Sequence, residues 1–453
     1  MVRKHLQKLA VIALATTLLI GITKQPVTAE KRNLIAHPNT PYQLSFYNRH
    51  RRSYRVASAL HFAHSKLHDV LLLTPFQNSQ QEDTKLYKEV LKFYNNPPRI
   101  EPSMELYAPY TARATWRLFR TIDSVHLLHE MTEDVMSDGD IPWNQKGKVL
   151  KEVYDYYKSN YSDIALSPAP LDITMRRAGV MMKPYFSLTR NYYPQNNNFF
   201  YAAHWWHPAV YESMMIGGND AQQDEMMQKM EDIFQSQVIP NPPQRMILSR
   251  EGNPRYSRLS PETANVFDNL HMLHGITYDI FAYDGWTIEQ KRAELYRVLG
   301  AMSYQPGDEK LVRKFTTPKP NINPLVYDEW ITSADGAMTQ MMTEMLAEMM
   351  PMMMQNHGGM NHQMHQKLMA QLKLKLTPGI QEGEIAGSFL DAMKAIMPNM
   401  NMSPEAMQPG KINPMMIDKM LAGWQSKYGD LRDIESISMD EEPDATEFLA
   451  PQN

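Results

Sequence analysis

No cysteine occurs in the 453 residues. Its absence excludes disulfides, thiolate metal sites, c-type haem attachment and a lipid-modified cysteine. An exported protein without disulfides must rely on core packing. Past the N-terminus no apolar run approaches the roughly 18 residues that mark a membrane span, so no span is expected after the leader. The formal net charge is −4 and no long basic stripe is present, which disfavours nucleic acid as a partner. Glycine-rich phosphate loops, a Gly-x-Ser-x-Gly elbow and a His-Glu-x-x-His zinc-protease helix are also absent. The "HLLHE" stretch puts Glu130 after the second histidine, so it does not match that last motif.

The N-terminus carries Arg3, Lys4 and Lys8, then an apolar run from Leu9 to Ile22, then Val27–Ala29. A basic segment, a short apolar core and small residues before a cut after Ala29 predict a signal peptide over residues 1–29. The expected location is periplasmic or secreted.

The chain contains a copy of itself. "PYQLSFYN" at Pro41 returns as "PYFSLTRN" at Pro184, an offset of 143 that also relates His61 to His204, His64 to His207 and Asp69 to Glu212. Further on, "NPPRI" at Asn96 returns as "NPPQRMI" at Asn241. That offset of 145 also relates His126 to His271, His129 to His274 and Asp134 to Asp279. Residues 41–183 and 184–315 are therefore read as two halves of a duplicated core. Each half divides again, since "KLYKEVLKFYNN" (Lys85–Asn96) resembles "KVLKEVYDYYKSN" (Lys148–Asn160). Apolar residues recur mostly at three- and four-residue spacing, as helices require. The expected fold is all-α, with duplicated helical-hairpin repeats forming a bundle. Ser260 as N-cap and Pro261 at the first helical position predict one helix start.

What the chain has in excess is histidine in pairs. His61–His64, His126–His129, His204–His207 and His271–His274 each bracket two apolar residues. Chance would place about half of one such pair in a chain of this composition. Residues three apart share a helix face, so both imidazoles of a pair can reach one ion. The next place on that face holds His68, Glu133, Tyr211 or Tyr278, which are further possible ligands. One residue on is an acid each time: Asp69, Asp134, Glu212 and Asp279. A carboxylate there is expected to orient an imidazole on a neighbouring helix. Pro208 after His207 predicts a bend or a helix start, which weakens His204 as a ligand. The competing reading is a network of hydrogen-bonded core histidines.

Imidazole without thiolate suits copper, with iron or zinc as alternatives. Di-iron carboxylate bundles bring Glu-x-x-His motifs, and none occurs here. Haem clamped between two helices leaves the second histidine of each pair without a task. Arg117 and Arg120, beside Trp116, are expected to hold carboxylates or a helix face.

Methionine is the second excess. Of 36, 20 fall between Met338 and Met420. A Pro-rich linker over residues 316–330 is expected to separate the core from a Met-rich region at 331–428 and an acidic tail at 429–453. Within the Met-rich region His357, His362 and His365 lie among Met352, Met353, Met354, Met360 and Met364. Thioether sulfur is soft and favours Cu(I). The region also suits an apolar surface for a protein partner, or low-complexity sequence. Three functional readings follow. The first is an exported copper-binding protein with a multi-histidine centre and a Cu(I)-handling tail. The second is a dinuclear oxidoreductase, type-3-copper-like or non-haem iron. The third is a helical scaffold whose Met-rich segment binds a protein.

Overall fold

The computed structural model describes residues 44–99, 101, 104–178, 188–217, 220–243, 245–283, 285–312 and 323–333. The expected leader and the Met-rich and acidic segments, with His357, His362, His365 and the methionines among them, lie outside these residues.

The described chain is all-helical. In the first half α1 is Leu44–Arg49, α2 Arg51–Leu73, α3 Ser79–Asn95, α4 Pro109–Ala114, α5 Trp116–Ser137, α6 Trp143–Asn160 and α7 Leu171–Ala178. In the second half α8 is Leu188–Tyr192, α9 Pro194–Gly217, α10 Asp220–Ile233, α11 Ser249–Gly252, α12 Pro254–Leu259, α13 Pro261–Ala282 and α14 Ile288–Met302; α15 is Tyr327–Ser333. Helix boundaries obey the sequence offsets. Adding 143 to α2 gives α9 to within one residue, and adding 145 to α4 and α5 gives α12 and α13. A π-helical turn, Phe234–Val238, extends α10 to Val238, the position that the end of α3 at Asn95 gives at the offset of 143.

Four inner helices, α2, α5, α9 and α13, carry the histidine pairs. Both α2 and α5 pack against both α9 and α13, so the two halves interleave in one core. The inner helices are buried almost all round; every residue of α13 from Thr263 to Ala282 is buried. A helix apolar on all sides belongs in a core. Each is flanked by an outer helix that buries one stripe at spacings of four, three and four. The stripes are Ser79, Asp83, Leu86, Val90 on α3 and Lys146, Leu150, Val153, Tyr157 on α6. On α10 and its π turn the stripe is Gln223, Met227, Met230, Phe234, and on α14 it is Lys291, Leu295, Val298, Met302. These are the hairpins that the repeat predicts: α2 with α3, α5 with α6, α9 with α10, α13 with α14.

The four acids explain how the hairpins interlock, and their bonds correct the orienting role expected of them. Asp69 on α2 accepts from the backbone N–H of Tyr110 (3.2 Å) and Thr111 (2.8 Å), at the start of α4. Asp134 on α5 accepts from Ser45 (2.7 Å) and Phe46 (3.1 Å), at the start of α1. In the second half Glu212 accepts from Arg255 N–H (3.0 Å) at the start of α12, and Asp279 from Leu188 (3.0 Å) and Thr189 (2.8 Å) at the start of α8. The first N–H groups of a helix have no intrahelical acceptor, and a carboxylate satisfies them with favourable charge. Each acid thus fixes the short helix leading into the opposite histidine helix of its own half. Asp83 does the same between halves, accepting from Gln195 and Asn196 N–H, both at 3.1 Å, at the start of α9.

Three further expectations change. The helix α9 continues through Pro208, and Gly252 lets α11 approach that ring; a Cβ there would lie 2.6 Å from Pro208 Cβ. The helix α13 starts at Pro261 as expected, but the Ser260 hydroxyl accepts from Thr263 Oγ1 (2.7 Å) instead of capping the backbone. The end of the expected linker is packed: Leu325, Tyr327 and Trp330 are buried, and Trp330 Nε1 donates to the Glu251 carbonyl at 3.2 Å. Arg120 does hold a carboxylate, Asp163 at 3.0 Å. Among the described residues no helix is long and apolar enough to cross a membrane.

Candidate metal centre

The interleaving of α2, α5, α9 and α13 brings all four pairs together. His61, His64, His126, His129, His204, His207, His271 and His274, with His68, are buried to 5% exposure or less. Their rings form one continuous network across all four helices. His61 stacks on His126 with centroids 4.1 Å apart, and lies 5.7 Å from His207. His129 follows at 4.7 Å from His207 and 6.0 Å from His271. His204 meets His271 at 4.0 Å and His64 at 5.5 Å. His274 closes the network, 5.2 Å from His64, 5.4 Å from His68 and 5.8 Å from His126.

Seven of these rings leave nine buried nitrogens without a hydrogen-bond partner. They are Nε2 of His61, His68, His129, His204 and His207, and both nitrogens of His64 and His274. An unpaired buried polar group costs about 1–3 kcal/mol. In three rings the other nitrogen is anchored. His61 Nδ1 faces Glu101 Oε1 at 2.7 Å, His129 Nδ1 faces Tyr211 Oη at 2.7 Å, and His204 Nδ1 faces the Phe200 carbonyl at 2.5 Å. Anchoring Nδ1 fixes the ring and presents Nε2, which is how ligating histidines are ordinarily held. His126 Nδ1 lies 2.8 Å from Met104 Sδ, which adds a thioether to the group.

Burial makes the rings neutral. It holds His64, His126, His129, His207, His271 and His274 well below the ordinary histidine value, helped by the charge each neighbouring imidazole would add. Burial lowers His68 to about 3, and His204 to about 3 despite its Phe200 carbonyl. His61 is the exception: burial lowers it, but the charge and hydrogen bond of Glu101 outweigh burial and raise it. Neutral imidazole is the form that binds metal.

The remaining candidates divide. Tyr211 reaches into the network through His129, and the His68 ring lies 4.9 Å from Tyr278. Tyr278 Oη points to the His64 carbonyl at 3.5 Å. Glu133 is buried with Oε1 unpartnered, and burial raises its carboxyl well above the usual range. Among the described residues no group of three or more His, Cys, Asp or Glu side chains is disposed to hold an ion as the rings stand. Several close pairs are stacked, with interplanar angles of 21° for His61–His126 and 14° for His64–His274. A shared ion therefore requires ring rotation.

Sequence reasoning missed Glu101 and Met104. Both lie in the segment before α4, outside the histidine helices. A signal was there: adding 145 gives Met246 and Ser249, so these positions depart from the repeat.

No protein-family model, no curated protein and no solved structure matches the chain.

Proposed function

We propose that the histidine core binds transition-metal ions, copper in preference, and that the protein is an exported metal-handling protein. One observation carries this reading: nine buried ring nitrogens without partners, from four helices, in one contact network. Leaving them bare would cost roughly 10 kcal/mol or more at about 1–3 kcal/mol each, comparable to the whole stability of a typical domain. Metal bonds satisfy many of them at once. Neutral imidazole with a thioether suits copper, and zinc or iron fits the imidazoles less selectively. Glu101 supplies the orienting carboxylate, and Met104 is placed to serve Cu(I). In this reading the leader exports the chain, and the Met-rich region gathers Cu(I) through its thioethers.

Storage or transfer is favoured over the dinuclear oxidoreductase, because all nine rings are at most 5% exposed. Ions need only a narrow path into such a core, whereas a substrate needs a pocket beside the reacting atoms. The test is metal analysis of protein purified without chelator, followed by titration with Cu(I) and Cu(II). Copper retained in the core after truncation at residue 333 is the expected result. A truncated protein that binds neither copper, zinc nor iron, and shows no metal-dependent change in melting, refutes the proposal.

A further inference from the structure

The third place on each histidine face differs between the copies, and it makes the two ends of the core unlike. The offset of 143 relates His64 and His68 to His207 and Tyr211, and that of 145 relates His129 and Glu133 to His274 and Tyr278. At one end the His274 ring lies 5.2 Å from His64 and 5.4 Å from His68. At the other the His129 ring lies 4.7 Å from His207 and 5.9 Å from Tyr211. This is one cluster built twice, with a third imidazole in the first copy and a phenol in the second. Glu133, buried with Oε1 unpartnered, lies one helix turn beyond His129. Its counterpart at the first end is Tyr278, whose ring lies 4.9 Å from His68.

The bare nitrogens gather at the first end. Five of the nine belong to it: both nitrogens of His64, both of His274, and Nε2 of His68. At the second end the Tyr211 hydroxyl satisfies His129 Nδ1 at 2.7 Å, whereas the equivalent atom, His274 Nδ1, has no partner. No hydrogen bond holds the His64 or His274 ring in its stacked pose, so both can turn towards an ion without breaking one. The wall around the three imidazoles is aromatic, with the Phe200 ring 5.3 Å from His64 and the Phe281 ring 5.8 Å from His68. All three imidazoles are at most 4% exposed.

We infer that His64, His68 and His274 form a Cu(I)-selective site at one end of the core, and that the end built from His129, His207, Tyr211 and Glu133 takes a divalent ion. Charge decides the first. Three neutral imidazoles in an aromatic wall offer nothing to balance a second positive charge. The cost of burying an ion rises with the square of its charge, so a divalent ion there costs about four times as much as Cu(I). Imidazole suits copper, and the three rings supply nothing else. At the other end a phenol and a carboxyl add oxygen donors, which suit divalent ions better. Duplication supplies two equal ends, and substitution at the third place of each face sets them apart.

This inference rests on the metal-binding reading, and its test separates the two. The full-length protein is titrated without oxygen with Cu(I), held by bicinchoninate, and separately with Zn(II). The wild type is compared with His68→Gln, His68→Tyr and Glu133→Gln. Each His68 variant is expected to lose one Cu(I) equivalent and keep its zinc, and Glu133→Gln to bind zinc more weakly and keep its Cu(I). The Met-rich region is present in every sample, so copper bound there cancels in the comparison. In the wild type, Cu(I) added to the zinc-loaded protein should raise melting further and release no zinc; this arm decides the matter if the His68 variants do not fold. An unchanged Cu(I) count in the His68 variants, zinc lost from them in equal measure, or zinc released by Cu(I) overturns the unlike ends and leaves the metal core standing. A wild type whose melting neither ion moves overturns both.

Discussion

Replacing His64 with leucine separates a metal core from a structural one. His64 is 4% exposed, and both ring nitrogens lack partners. Its ring lies 5.2 Å from His274, 5.5 Å from His204 and 5.3 Å from Phe200. Without metal, the unpaired polar groups cost the folded state about 1–3 kcal/mol. Leucine of similar volume removes that cost and adds apolar burial. The chelator-treated variant should therefore melt above the chelator-treated wild type. The shift is roughly 2–4 °C per kcal/mol, the range for large domains. With copper the order should reverse. An ion that binds only the folded state stabilises it by about 4 kcal/mol at a thousandfold excess over its Kd. The variant loses a ligand and hence part of that gain. Calorimetry of both proteins, with EDTA and with Cu(I), gives all four melting temperatures. If the histidines are a structural stack, His64→Leu removes ring–ring contacts worth about 0.5–1.5 kcal/mol each and lowers melting equally in both conditions. That equal loss would refute the reasoning.

Asp134→Ala and Asp279→Ala leave the first N–H groups of α1 and α8 unpaired. Each should lower stability by about 1–3 kcal/mol in urea unfolding, with copper stoichiometry unchanged; a lost copper site in either variant would restore an orienting role. Stability should also fall as pH drops below 6.5. The unfolded chain takes up protons near that ordinary value, whereas the folded His68 and His204 do so only near 3, so between these values the unfolded state holds more protons. The loss runs at up to about 1.4 kcal/mol per pH unit for each ring. His61, whose raised value works in the opposite sense, offsets part of it. Equal urea midpoints at pH 7.5 and pH 5 would contradict this. Truncation after residue 333 should lower the Cu(I) bound, measured by chelator competition, and leave core melting unchanged; unchanged Cu(I) binding would remove the copper role of the tail.

How far the sequence could be read depended on whether the repeat kept or broke its pattern. Helix type, helix order and the convergence of the histidines were legible because they follow from spacing repeated at two fixed offsets, as His61 and His204 or His126 and His271 show. The acids were equally periodic and still misread. Asp69, Asp134, Glu212 and Asp279 sit one residue past the histidine face, and helix geometry says only that they point to one side. What lies on that side is the start of a short helix, a contact fixed by how the hairpins interlock. No local spacing encodes it. Glu101 and Met104 were hidden for the opposite reason, since they belong to no pattern and become visible only against Met246 and Ser249. Periodic residues in such a chain build the common frame, because duplication copies whatever both halves need. Function that requires the halves to differ, such as two unlike ends of a shared core, must reside where the copies disagree. Residues at those positions are therefore the ones to test first.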